Sequence, residues 1–322
     1  MKCLTVIRKL AGACLIAAIT PAAQAAWPDD QPIEVVVGFA PGGGTDLMAR
    51  SLAPFIQKRL GGKARVVVIN KPGASGEIAN AYVARAKADG YTLGIINVPG
   101  FVFLPLSKKT QYHVEDFTLL ARIVNDPTVL VAKRDAKYAT LGQTVDALKK
   151  DPGSLSFGYN GVGTNGHLAL IQLQAIAKVE ANDVPFKGTA ESKTALMGGH
   201  VDYAFVSAAE MPELRSATAS LKAVAQFGEQ RSKALPNVPT AAEAGYKMTM
   251  TSERGFAAPR GMSAEIAARL QKAIAESVAD PEFIKIASND APVLSYLSGA
   301  DWEASLAKQR PALQAIADRM PK

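Results

Sequence analysis

Ile33-Glu34-Val35-Val36-Val37-Gly38-Phe39-Ala40-Pro41-Gly42-Gly43-Gly44-Thr45-Asp46 is a β-branched run that breaks into glycine and then opens a helix. Ile33 to Phe39 reads as a buried strand. Beyond the glycines, Leu47, Leu52, Phe55 and Ile56 fall on one face of a helix reaching Leu60. The order then repeats. Arg65 to Asn70 reads as a strand, Lys71 to Gly76 as a glycine-rich turn, the stretch to about Lys87 as a helix, and Tyr91 to Asn97 as a third strand. Such alternation implies parallel βαβ units with right-handed crossovers.

A second alternation follows. Phe117 to Val124 and Thr128 to Ala132 read as two strands, with a change of domain near Asn125-Asp126-Pro127. The helix Leu141 to Lys150 precedes the strand Leu155 to Asn160 and the loop Gly161 to Gly166, which leads into a helix to Lys178. A strand at Asp183 to Phe186, a helix from Thr189, and the strand Val201 to Val206 complete that block, and Leu221 to Gln226 reads as the strand that returns to the first domain. Ser252 to Ala258 is a further strand, and helices are expected near Ser263 to Val278, Pro281 to Ser288 and Ala300 to Met320. The expected organisation is a leader at 1–25, a discontinuous first domain at 26–125 plus 227–322, and a second domain at 126–226.

Lys2, Arg8 and Lys9 precede the short apolar stretch Leu10 to Ile19, and Ala23-Gln24-Ala25 offers a small-x-small cleavage site. This is the pattern of a secretory signal peptide, too short and wrongly flanked for a transmembrane helix. Both cysteines, Cys3 and Cys14, lie inside that leader, so the processed chain carries no thiol, disulfide or cysteine metal site. Ala11-Gly12-Ala13-Cys14 is a loose match to a lipid-attachment site, but almost no apolar run precedes it. With 48% hydrophobic and 20% charged residues over 322 positions, the composition is that of a globular chain of about two domains, not a disordered one. The net charge of +7 invites a nucleic-acid reading. The bases are interspersed with acids, as in Lys285 to Asp290, and no basic run or aromatic–basic interleaving occurs, so no nucleic-acid partner is expected.

The chemistry is concentrated in loops. Pro41 to Asp46, Gly73 to Gly76 and Gly161 to Gly166 each carry a strand end into a helix start. Glycine lets backbone N–H groups turn toward a ligand, and a helix N-terminus adds partial positive charge. Two such loops facing each other across a cleft suit a carboxylate. Gly161-Val162-Gly163-Thr164-Asn165-Gly166 is also a literal G-x-G-x-x-G with Asp183 downstream, but it sits mid-chain in an exported protein, so no dinucleotide is expected. No Gly-Lys-Ser/Thr follows the glycine loops and no G-x-S-x-G is present. His113, His167 and His200 lack metal-ligand spacing, so neither metal nor cofactor is expected. His167, in the first turn after the second loop, either points into the cleft as a donor or packs as a capping residue.

Phe39-Ala40-Pro41-Gly42-Gly43-Gly44-Thr45-Asp46 with Ala49-Arg50 resembles the signature of the Bug proteins, the periplasmic substrate-binding receptors of tripartite tricarboxylate (TctC-like) transporters. The resemblance continues through Asn70 to Gly76, Asp89 to Leu93, Gly161 to Leu168, Val184 to Gly188, Gly198 to Asp202, Leu235 to Thr240, Glu243 to Gly245 and Ala257 to Pro259. It implies a periplasmic-binding-protein (Venus flytrap) fold of two α/β domains with mostly parallel sheets, joined by a hinge and closing on a ligand. It further implies that one carboxylate is held by backbone amides at Ala40, Gly43, Gly44, Gly163 and Thr164. Asp46 reads as a helix-start residue and not a contact, since its charge would repel an anion.

Departures from the family pattern bear on the ligand. The segment after the third strand is Asn97-Val98-Pro99-Gly100-Phe101. Arg254 stands where many members have an aromatic residue, so that it either clamps a second carboxylate or pairs with a nearby acid. Ser207 is neutral where an acid would favour an amine, which points to a carboxylate lacking an ammonium group, a dicarboxylate or an aromatic acid. The candidate ligand contacts are thus Phe39, Ala40, Gly42, Gly43, Gly44, Asn97, Val98, Gly161, Gly163, Thr164, His167, Ser207 and Arg254. The reading is a monomeric, non-enzymatic periplasmic receptor for a small organic anion, working with membrane transporter subunits. The alternatives are a ligand sensor docking on a membrane sensor protein and an exported hydrolase of carboxylated substrates.

Overall fold

The chain begins with a βαβαβ unit, as its alternating pattern requires. In the computed structural model, which describes residues 27–216, 218–287 and 289–320, strand β1 (Ile33–Val37) runs through helix α1 (Gly44–Leu60) into β2 (Val66–Asn70), then through α2 (Glu77–Ala84) into β3 (Thr92–Val98). Both β2 and β3 lie parallel to β1. The expected leader, residues 1–25, lies outside the described residues.

Helix α3 (Gly100–Ser107) follows directly on β3. Nothing in the pattern of Gly100 to Ser107 signals a helix, because the segment is apolar all round and contains Pro105. It is helical because it is buried on every side, with Phe101, Val102, Phe103 and Leu104 all in the core.

The two strands expected at 117–124 and 128–132 are one strand of 17 residues, β4 (Phe117–Lys133). Asn125-Asp126-Pro127 looks like a turn, yet it stays extended where the strand changes partners. The second part of the chain supplies α4 (Leu141–Lys150), β5 (Ser156–Tyr159), α5 (Asn165–Ala177), β6 (Asn182–Pro185), α6 (Thr189–Met197), β7 (Tyr203–Ser207) and β8 (Leu221–Gln226). Then come β9 (Thr251–Pro259), α7 (Ala264–Val278), α8 (Pro281–Ile286), β10 (Leu294–Ser298) and α9 (Gly299–Ala317). Residues 117–127 of β4 pair with β9, and residues 128–133 pair with β7 and β8. Pro127 is the last residue of the β9 ladder and Thr128 the first of the β7 ladder, so the missing proline N–H falls at the handover.

One path of paired strands therefore runs β2-β1-β3-β9-β4-β7-β5-β6. Its outer thirds are parallel, since β5 also lies parallel to β6 and β7. The strands that bridge the middle, β9 and β4, run antiparallel to their neighbours, as does β10 on β4. The parallel sheets expected from the pattern are thus the cores of two lobes, a first built on β1–β3 and a second on β5–β7. The strand Leu221 to Gln226, expected to return to the first domain, instead pairs with β4 inside the second lobe.

The bridge is held by close packing. Trp302 of α9 is fully buried, and its indole N–H donates to Glu253 Oε2 at 2.6 Å. Its ring lies over Gly255, where a Cβ would stand 2.6 Å from the indole and 2.2 Å from the Ala121 carbonyl oxygen, so only glycine fits. Glu253 also receives Gln309 Nε2 at 2.7 Å and pairs with Arg122 at 3.3 Å, which satisfies a carboxylate that burial would otherwise penalise.

Candidate functional site

A cavity of about 520 Å³ lies between the lobes. Four helices begin in its walls. Gly43 and Gly44 open α1, Pro99 and Gly100 open α3, Thr164 and Asn165 open α5, and Gly188 and Thr189 open α6; all eight residues line the cavity. None of these four helices has a side-chain cap. Helices α4, α7, α8 and α9 begin elsewhere, and each is capped by its own side chain: Thr140, Ser263, Asp280 and Ser298. Helix α2 is also uncapped, and Ser75 just ahead of it lines the cavity too. First-turn N–H groups have no intrahelical acceptor, and each helix end carries about half a positive charge. Two lobes thus turn uncapped helix N-termini toward one cavity, which is an arrangement for an anion.

The first glycine loop is shaped from below by Asp46. Its Oδ2 accepts the Gly42 N–H at 2.8 Å, while Arg50 Nε and Asn70 Nδ2 each donate to Oδ1 at 2.9 Å. Gly42 itself holds φ +82°, which its glycine identity permits. Burial opposes ionisation of Asp46, but the hydrogen bonds from Arg50, Gly42 and Asn70 outweigh it and hold the carboxyl below its usual range. A depressed carboxylate stabilises the fold above its unfolded value of about 3.9, and that stability is lost as pH falls through the lower folded value. Asp46→Asn is therefore expected to cost about 1.5–3 kcal/mol at pH 7. The gap from the wild type should close on acidification below about pH 4, as read by urea unfolding across pH. A constant gap would mean that the charge is not what holds the loop.

The second loop is shaped by His167. Its Nδ1 accepts the Gly163 N–H at 3.1 Å, and its ring packs on Tyr159 at 4.7 Å between centroids. Burial pushes the imidazole below its usual value, which keeps it neutral and able to accept. Thr164 Oγ1 lies 2.7 Å from both Asn160 Oδ1 and the Gly161 carbonyl oxygen. Asn165 Nδ2 donates to Thr128 Oγ1 at 2.8 Å and to Ser207 Oγ at 3.3 Å.

Residues 48–306 match the model of the TctC family, described as the tripartite tricarboxylate transporter family receptor. The chain belongs to this family. It is similar to the protein BugT of Bordetella pertussis, with 35% identity over 254 residues, covering 77% of this chain and 76% of BugT. Among solved structures it is similar to R. palustris Rpa4515 with adipate, at TM-score 0.82 and 26% identity, over 91% of this chain and 98% of that one. It is likewise similar to MatC from Rhodopseudomonas palustris with bound malate, at TM-score 0.79 and 25% identity, over 89% and 98% of the two chains. The fold described above is that of a TctC solute-binding protein. No helix among the described residues of this TctC receptor is long and apolar enough to cross a membrane.

The receptor's cavity gathers nine of the residues singled out from sequence: Phe39, Ala40, Gly42, Gly43, Gly44, Asn97, Val98, Thr164 and Ser207. Four others stand off its walls. Gly163 spends its N–H on His167 Nδ1, which is thereby an acceptor within its own loop, and neither residue reaches the cavity wall. Gly161 is turned against Ser75 of the other lobe, whose Oγ would stand 2.9 Å from a Cβ there. Arg254 lies beneath the floor, fully buried, with Nη2 at 2.8 Å from Asp126 Oδ2 and 3.2 Å from Asp290 Oδ1. The clamp on a second ligand carboxylate is thus replaced by two internal carboxylates. Burial pushes the Asp126 carboxyl up to about 7, although Arg254 and the Ala209 N–H favour its charged form.

The cavity also holds groups that the sequence reading missed, chiefly Asn160, Asn165, Thr189, Ser252, Glu210 and Asp290. Gly188-Thr189 had a legible signal, a glycine opening a helix, as in the first loop. Glu210 and Asp290 had none, because their approach depends on how the lobes meet. Ser207 lines the cavity, and Glu210, three residues further on, lines it too.

Proposed function

We propose that this TctC receptor captures a small organic carboxylate between its lobes in the periplasm and hands it to the membrane subunits of a tripartite tricarboxylate-type transporter. The observation that carries the reading is the set of four uncapped helix N-termini, two from each lobe, around one cavity. A carboxylate there accepts N–H groups from both lobes at once, so binding favours closure. The adipate and malate held by the two R. palustris neighbours support the ligand class. In this reading the leader at 1–25 is removed on export and the receptor acts as a monomer. The lobes correspond to 26–125 plus 227–322 and to 126–226, with the hinge where β4 changes partners.

The test is a thermal-shift screen of the processed receptor, stripped of carried-over ligand by unfolding and refolding. Carboxylic acids are compared with their uncharged amides, with sugars and NAD as controls. An acid at a hundred times its dissociation constant adds about 2.7 kcal/mol of stability. A shift with acids and none with the matching diamides is the expected result. Equal shifts with both, or a shift with NAD alone, would sink the proposal.

A further inference from the structure

The cavity has a polar seat and an apolar mouth. The seat is open at the starts of α1 and α6. A Cβ on Gly188 would meet nothing within 4 Å, and one on Gly43 nothing closer than the Ala40 carbonyl oxygen at 3.5 Å. Against Gly44 lies Arg254 Nη1, 2.6 Å from where a Cβ would stand, with Glu210 Cγ and Oε1 each at 2.9 Å. That guanidinium nitrogen is buried and has no hydrogen-bond partner. A positive charge therefore stands beside the start of α1, nearer to it than the Glu210 carboxylate.

The mouth begins one turn further along α1, where Leu47 lines the cavity and is 50% exposed. Leu47, Ser51 and Phe55 share one face of that helix at i, i+4 and i+8. At the far end of the face, Phe55 meets Phe283 of α8 edge-on, with ring centroids 5.7 Å apart. Ile286, three residues beyond Phe283, also lines the cavity and is 56% exposed. The seam between α1 and α8 is thus closed at Phe55 and open at Leu47 and Ile286. Ala190 of α6 lines the cavity from the other lobe. Polar neighbours at this end are already engaged: Ser51 Oγ donates to the Met48 carbonyl oxygen at 3.0 Å, Lys193 pairs with Glu213, and Asp290 pairs with Arg254. Lys187 lines the cavity but is exposed, where solvent screens it. Leu47 and Ile286, by contrast, leave about half their surface uncovered. A cavity of about 520 Å³ has room well beyond one carboxylate group.

Resting on the carboxylate reading above, we infer that Leu47 and Ile286 form an apolar subsite for the far end of the ligand, so that the solute is a carboxylate with an alkyl or aryl tail. The carboxylate sits at the start of α1 and the tail runs outward along Leu47. The reach is short. Leu47 lies about 5 Å along the helix from Gly44, and its side chain leans back toward the helix start. A tail of a few carbons covers both side chains and takes apolar surface of protein and ligand out of water together. A second carboxylate at that end would be stripped of water against leucine and isoleucine, in a cavity that already holds Glu210 and Asp290. Selectivity then comes as much from rejecting the diacid as from holding the tail.

Isothermal titration of the refolded receptor with matched acids tests this. One set is propanoate, butanoate, hexanoate and adipate; the other is 3-phenylpropanoate and its 4-carboxy derivative. In the wild type, affinity is expected to rise about fourfold per added methylene from propanoate to hexanoate. The better tail-bearing acid should bind at least about tenfold tighter than its diacid. Carrying Leu47→Gln and Ile286→Gln together should shrink the gain from propanoate to hexanoate by about tenfold or more. Ile176→Gln, at an exposed position of α5 that does not line the cavity, should keep the wild-type gain. If the double variant does not fold, each single exchange should lower the gain by a smaller factor. Diacids that bind as tightly as their tail-bearing partners, or a folded double variant with an unchanged gain, overturn the inference and leave the carboxylate reading standing. Binding of no acid in either set overturns both.

Discussion

Arg254→Met is expected to cost the receptor about 3–5 kcal/mol of folding stability, the range for removing one partner of a buried ion pair. Asp126 is fully buried and Asp290 nearly so, and both rely on the same guanidinium. Methionine approximates the volume but leaves Asp126 without its counter-charge and Asp290 with only the lesser pull of Arg215. The loss should depend on pH in a defined direction. Burial raises the Asp126 carboxyl, so the folded state binds more protons than the unfolded chain between about pH 4 and 7, and that group's contribution falls as pH rises through this window. Without Arg254 the effect should deepen, making the variant most stable at its acid end. Urea unfolding from pH 4 to 8 measures it. Adding Asp126→Asn and Asp290→Asn to Arg254→Met should recover most of the loss, because neutral amides do not need the cation. A cost under about 1 kcal/mol would show that the cluster is solvated after all.

Gly43→Asp should separate binding from stability. Gly43 is the N-cap of α1 with φ −74°, a conformation open to any residue, and a Cβ there meets nothing closer than the Ala40 carbonyl oxygen at 3.5 Å. Aspartate is a better N-cap than glycine by a few tenths of a kcal/mol, so stability should hold or rise slightly. The same carboxylate would take the first-turn N–H groups that face the cavity and set a negative charge at its wall. Carboxylate binding should weaken at least about a hundredfold, or about 2.7 kcal/mol. Unfolding curves and titration calorimetry on the same preparation read both quantities. A variant that is as stable as the wild type and binds as tightly would remove α1 from the site.

The parts of this molecule that were legible in its sequence are those encoded locally. Gly42 to Gly44 and Thr164 were legible because a strand running into glycine and then into a helix has few other uses. The two βαβ halves were legible because period and punctuation repeat. Helix α3 was not, since an element buried all round carries no periodicity, and β4 was misread because Asn125-Asp126-Pro127 looks like a turn wherever no neighbouring strand holds it straight. Arg254 was ambiguous: only tertiary structure brings Asp126 and Asp290 to it. His167 was placed in the right loop, but its role as acceptor for Gly163 depends on a burial that spacing does not reveal.

The uncapped helices have a consequence for the empty receptor. A helix that leaves its first N–H groups to be completed by a visitor is a helix with an unfinished end. Among the described residues, α1, α3, α5 and α6 turn such ends to the inner surface, while α4, α7, α8 and α9 finish themselves. The solute is therefore a missing piece of secondary structure as well as a cargo. A loaded molecule should fray less at its centre than an unloaded one, and it should outlast it among the proteases of its compartment.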